Sequence, residues 1–275
     1  EGRDLGGRES PARISSRRGD WETMEDFLRR CLDRNARHQQ AVHLLVVSLV
    51  FQNKRKVAAE LIDRELQRDP FNIGILFETE HASNHGSDQF KRRMGIDPHN
   101  YIELAIDYAA AGCYKRAIDV LQSYLERAAN EPDSSLVYYY LAEFTEQMGA
   151  PQEAVRFSML GAKLPRQGFF PNRREDLAVL ETAITRLPGD FRACCDIGNL
   201  LYSKCRYDDA IDSWEAARDL AHDFAQPHRN LGLAYLNHRQ DPVSAWRSLD
   251  KAFHLNPDDS RVLYELDQLA KRLNH

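Results

Sequence analysis

Six short stretches of this chain resemble one another, and their spacing limits the fold more than any other feature. They are GDWETM at 19–24, NKRKVA at 53–58, GCYKRA at 112–117, GAPQEA at 149–154, CRYDDA at 205–210 and, one residue longer, RQDPVSA at 239–245. Their last residues stand 34, 59, 37, 56 and 35 positions apart, and Gly198 and Gly232 are again 34 apart. Self-similarity at this period marks a chain of stacked supersecondary units, each burying its apolar face against its neighbours. The two long gaps leave room for an extra helix or a degenerate hairpin.

Each unit reads as helix, turn, helix. Cys194, Ile197, Gly198 and Leu201 recur at i, i+3, i+4 and i+7, one stripe of a helix. The next helix carries Ala210, Trp214 and Ala217. Helices cross closely only where side chains are small, so the spacing predicts Gly198 against the region of Ala210. Trp214 then fills the space between this hairpin and its neighbour.

The pattern Gly198, Leu201, Ala210, Trp214, Ala217 resembles the tetratricopeptide repeat. It returns in Leu231, Gly232, Tyr235, Ala245, Leu249, Ala252 and Pro257. It is fainter in Leu104, Ala105, Tyr108, Ala117 and Leu121, and in Leu141, Ala142, Ala154 and Pro165. The resemblance implies an all-α fold, a right-handed superhelical solenoid of helix hairpins. Residues 1–14 are expected to be a flexible segment, 15–97 divergent repeats and 98–275 well-patterned repeats, with an inserted helix at about 172–187 and a capping helix at about 259–273. Residues 71–97 look like a shortened, degraded hairpin. For the inserted helix, Asn172 with Glu175 three residues on has the spacing of a capping box.

A narrower likeness is carried by FFPNRREDLAVLETAI, IGNLLYSKCRYDDAIDSWE and LYELDQLAKRLN. These resemble the C-terminal repeat region of bacterial proteins whose N-terminal β-sandwich domain is related to galactose mutarotases. The chain begins at Glu1 with no signal-peptide pattern and is read as a portion of such a longer protein.

Composition removes several function classes. With 43% apolar and 29% charged residues the chain is globular rather than disordered. A formal net charge of −5 gives no field to attract nucleic acid, and the basic pairs Arg17–Arg18 and Arg173–Arg174 lie far apart. The longest apolar run, Ala41 to Phe51, falls short of the ~20 residues that span a bilayer and reads as a buried helix. Five cysteines without a CxxC read as reduced thiols of a cytoplasmic protein.

No convergent catalytic set emerges, so no enzyme activity, cofactor or metal is expected. His81 and His85 are four apart with Glu78 close by, but no HExxH forms and Gly86 ends the segment, so the pair reads as a polar helix end. Glu143 and Glu146 share a helix face as solvated carboxylates would. What remains is surface. The resemblance places Tyr139, Glu143, Asn199, Tyr202, Arg229, Asn230 and Asn237 on the concave groove, where a protein or peptide partner, or the chain's own missing N-terminal domain, would bind. Arg229 would favour an acidic group. Phe169 and Phe170 offer a second contact on a loop. A clamp for the acidic C-terminus of chaperones matches at Asn199 and Asn230, but Cys195 and Glu265 stand where cations are required. The competing reading is an accessory region of a larger carbohydrate-active enzyme whose catalytic or sugar-binding domain lies outside this chain.

Overall fold

In a computed structural model of the chain, residues 20–82, 89–128, 134–164 and 170–273 are described. All regular structure among them is helical, in fifteen α-helices. Among these residues the fold is all-α, built of helix hairpins. Two compact units divide it: Glu1–Pro132 with Phe144–Pro151, and Asp133–Glu143 with Gln152–His275.

The first unit contains α1 (Trp21–Arg34), α2 (Gln39–Phe51), α3 (Arg55–Arg68), α4 (Ile73–Ala82), α5 (Gln89–Met94), α6 (Pro98–Ala110) and α7 (Tyr114–Arg127). Asp20 starts α1 by accepting from Thr23 N at 3.0 Å, and Asp97 starts α6 with Pro98 at its first position. Helix α2 is apolar nearly all round and is buried from Ala41 to Leu49. Its last residue, Phe51, emerges to stack on Trp21 with centroids 4.4 Å apart. Residues 71–97 hold α4 and the short α5, packed on each other.

Helix α8 (Ser135–Gln147) gives its residues up to Glu143 to the second unit, which continues with α9 (Pro151–Lys163), α10 (Arg174–Arg186), α11 (Phe191–Ser203) and α12 (Tyr207–Leu220). It ends with α13 (Ala225–Ala234), α14 (Pro242–Leu255) and α15 (Ser260–Arg272). Val262, Leu266 and Leu269 of α15 close on Ala245, Leu249 and Ala252 of α14.

The turns between hairpin helices share one device. Asn53, Gly112, Gly149, Cys205 and Gln240 have φ of 59°, 79°, 82°, 61° and 51°. Each stands five residues before the buried alanine of its repeat: Ala58, Ala117, Ala154, Ala210 and Ala245. A left-handed residue is what the turn requires, and only two of the five are glycine. The longer sixth stretch is absorbed by a π turn over Tyr235–Arg239, where Asp241 N donates to Tyr235 O at 3.0 Å.

Two expectations are corrected by the packing. Gly198 makes room for Trp214 of its own hairpin, not for Ala210: a Cβ there would lie 2.4 Å from Trp214 Nε1. Gly232 does the same for Leu249, at 2.6 Å from its Cγ. Trp214 thus fills space within its own hairpin. The start of α10 is also held differently. Asp176, not Glu175, accepts from Asn172 N at 2.8 Å and from Arg173 N at 2.9 Å.

Candidate ligand-binding cleft

The second unit carries an open cleft of about 520 Å³. Helix α11 supplies Asn199 and Tyr202, α13 supplies Arg229 and Asn230, and the start of α15 supplies Arg261. These side chains come together because equivalent faces of successive helices repeat along the unit. Phe170, ahead of α10, lines the same cleft and is 56% exposed. Phe170 and the groove residues Asn199, Tyr202, Arg229 and Asn230, distinct alternatives in the sequence, line one cleft here. Phe169 lies outside the described residues.

The polar groups of the cleft are tied to one another. Trp214 Nε1 donates to Asn199 Oδ1 at 3.1 Å and to Cys195 O at 3.3 Å. Asn230 Nδ2 donates to the same Asn199 Oδ1 at 2.8 Å. The Asn199 Nδ2 is buried with no hydrogen-bond partner, closed off from the cleft. Arg229 grips Glu265 through two bonds, Nε to Oε2 at 3.0 Å and Nη2 to Oε1. Arg261 grips Asp259 through Nε and Nη2, both at 3.0 Å. The bonds from Arg261 hold the Asp259 carboxyl below the usual range, although burial works against them. The expectation that Arg229 favours an acidic ligand thus meets a guanidinium already neutralised by the carboxylate expected to spoil the chaperone clamp.

The remaining site residues lie elsewhere. Tyr139 is fully buried, which corrects its placement on the groove. Its hydroxyl donates to Asp190 Oδ2 at 2.6 Å, and its ring occupies the space left by Gly161, where a Cβ would meet Tyr139 Cε1 at 2.9 Å. Its neighbour Tyr140 donates to Asp176 Oδ1 at 2.7 Å. Two adjacent tyrosines thus tie α8 to the N-terminal carboxylates of α10 and α11. Glu143 pairs with Arg186 at 2.8 Å rather than standing as a bare carboxylate. Asn237, on the π turn, hydrogen-bonds the Tyr202 hydroxyl but does not line the cleft. That hydroxyl also meets His238 Nε2 at 2.8 Å, and burial raises its pKa. Trp214 and Phe224 line the cleft too, although the sequence marked Trp214 only for packing and Phe224 not at all.

Chemistry elsewhere in the described residues is structural. In the first unit Tyr108 donates to Glu78 Oε1 at 2.8 Å, and Arg116 Nε approaches the same oxygen at 3.3 Å. Burial, reinforced by the Glu78 charge, pushes the nearby Cys113 thiol up to about 12. His85 lies outside the described residues, as does the side chain of His81. Among the described residues no three His, Cys, Asp or Glu side chains come together as metal ligands, and no helix is long and apolar enough to cross a membrane. The five cysteines, all among the described residues, form no disulfide.

The TPR repeat family matches residues 198–238, from the glycine beneath Trp214 to the π turn. Human protein O-mannosyl-transferase TMTC1 is 26% identical over 227 residues, a match covering 74% of this chain and 25% of the relative. The chain thus spans about a quarter of the length of that curated protein. Among solved structures, YrrB, described as a TPR protein with an unusual peptide-binding site, is 18% identical, with 86% of this chain and 96% of that one covered and a TM-score of 0.32. A thermophilic TPR protein of Thermus thermophilus is 17% identical, with 84% and 98% covered and a TM-score of 0.35. The segment that builds the centre of the cleft is the one similar to the TPR repeat.

Proposed function

We propose that this chain is a non-catalytic binding module and that the cleft of its second unit receives a peptide segment of a partner protein. The observation that carries the reading is the convergence of Phe170, Asn199, Tyr202, Arg229 and Asn230 on one open cleft within and beside the TPR-like segment. Amides and aromatic rings suit recognition of an extended chain, because they offer contact area and both kinds of hydrogen-bonding group at small entropic cost. Five cysteines outside any disulfide fit a cytoplasmic setting.

A second reading is favoured by the TMTC1 match. The chain would be an accessory region of a larger glycan-processing protein, and the cleft would hold a segment of that protein's substrate or of its own further domain. The galactose-mutarotase-like partner domain suggested by the sequence is one form of this reading.

Full-length protein applied to an array of short N-acetylated, C-amidated peptides tests the first reading. Phe170→Ser is expected to reduce capture by about tenfold, as loss of an aromatic anchor does. Phe71→Ser, at an exposed ring of the first unit, is expected to leave it unchanged. Capture lost with Phe71→Ser and kept with Phe170→Ser would place binding in the first unit instead.

A further inference from the structure

Resting on the peptide-binding reading above, we infer that the cleft selects an uncharged segment, with an aromatic or aliphatic side chain against Phe170, and that it rejects acidic ligands. The argument begins with charge. Both arginines of the cleft are held in two-bond contacts by Glu265 and Asp259. Glu265 is only 15% exposed at its side chain and Asp259 only 16%, so neither carboxylate swings freely into water. Asp259 is further committed to the backbone, accepting from Arg261 N at the start of α15. An acidic side chain or a free carboxylate entering the cleft must displace one of these pairs or lie beside a like charge. A basic side chain faces the mirror problem, since the carboxylates are spent and the guanidinium groups remain.

What the cleft leaves uncovered is apolar. The Asn199 amide is committed within the protein, since Trp214 and Asn230 both donate to its Oδ1 and its Nδ2 is buried. Phe170 is more than half exposed, and Leu233 and Val262 extend the apolar lining. An aromatic or aliphatic side chain buries that surface at no desolvation cost for a charge. Specificity in this design comes as much from the carboxylates that repel an acid as from the ring that attracts an apolar group.

The test uses the full chain and the blocked peptide array, varying one central position among Phe, Leu, Gln, Lys and Glu, with a parallel set ending in a free carboxylate. Central Phe or Leu is expected to exceed Glu by about tenfold, and the free carboxylate to give no gain. Glu265→Gln keeps the shape of the pair but releases the charge of Arg229, and is expected to bring Glu-containing peptides to within about threefold of Phe. Phe170→Ser, at an exposed position that folding does not need, is expected to erase the preference for Phe over Gln. If the wild-type chain prefers Glu or a free carboxylate, and Phe170→Ser still weakens capture, the cleft binds peptides but the neutral-ligand inference is wrong. If Phe, Gln, Lys and Glu peptides are captured equally, that inference is likewise overturned. If no peptide is captured by either chain, the binding reading itself falls, and this inference with it.

Discussion

Two clefts, one in each unit, dispose of their polar groups in opposite ways. The first-unit cleft around Phe71 is of similar size, about 460 Å³. Its exposed ring, Phe71, is capped by the Arg93 guanidinium 4.2 Å from the centroid. Its amides are consumed: Gln39 donates to Asp69, Gln40 to Asp107 and Asn100 to the Met94 carbonyl. The group it leaves unsatisfied, His43 Nε2, belongs to an imidazole pressed over Gly74 and tilted against Tyr108. In the second unit the ring of Phe170 is uncovered, and the Asn199 amide is held by Trp214 and Asn230. One repeat register therefore serves two ends. Around Phe71 a cation covers the ring, and around Phe170 the ring is left for a ligand.

The largest effect that sharpens this contrast is steric. Gly198→Leu drives a side chain into the space of Trp214 and is expected to cost upwards of about 3 kcal/mol, whereas Asp208→Leu, on an exposed side chain paired with Arg239, is expected to change stability by less than about 0.5 kcal/mol. Urea denaturation of the two variants decides it. Equal midpoints would show that Gly198 does not make the room assigned to it.

Next comes pH. Burial lowers His43 to about 4 from an ordinary 6.5, with a further push from His38. The folded state binds its proton less readily than the unfolded chain, so this contribution is intact above pH 6.5 and is lost as pH falls to about 4. The loss amounts to about 3 kcal/mol across that window. In the second unit His228 shifts the same way by burial, but its bond to the His222 carbonyl opposes the shift. Unfolding followed at several pH values should show a steep slope for the wild-type chain and a shallow one for His43→Leu. A slope that survives the substitution would assign the effect to other groups. Glu25 is separable by its window. Burial opposes its ionisation, but bonds from Lys54, Arg29 and Gln52 prevail and hold it near 2, so its contribution fades only below its ordinary 4.5.

The smallest effect is at the turns. Cys205 and Gln240 adopt φ of 61° and 51° without being glycine. Cys205→Gly is expected to raise stability by about 1 kcal/mol, and Gly149→Ala, at φ 82°, to lower it by about the same. Opposite signs in thermal melts support a shared left-handed turn. A drop on Cys205→Gly would mean that the cysteine side chain matters more than the backbone strain.

The hairpin fold was legible because the repeat period and the small residues depend on local spacing, which the sequence displays directly. Partners across a crossing are not local. Periodicity placed Gly198 on the packed face but could not say that Trp214, rather than Ala210, reaches it. Tyr139 fell on the groove face by repeat position. Gly161 opens a slot beneath its ring and Asp190, beyond the α10 insertion, takes its hydroxyl, so the residue turns inward. Arg229 read as an open cation because Glu265 stands thirty-six residues away on another helix. Phe170 and the groove looked like rival surfaces because nothing local shows that Phe170 shares a cleft with residues of α11 and α13.

The contrast between the two clefts is tested most directly by hydrogen exchange on the full chain, with and without the Phe-containing blocked peptide that the array binds best. Slowed exchange is expected at residues 195–203 and 226–233, with residues 39–43 and 100–107 unchanged. Protection confined to those first-unit segments, with the second unit unaffected, would contradict the account.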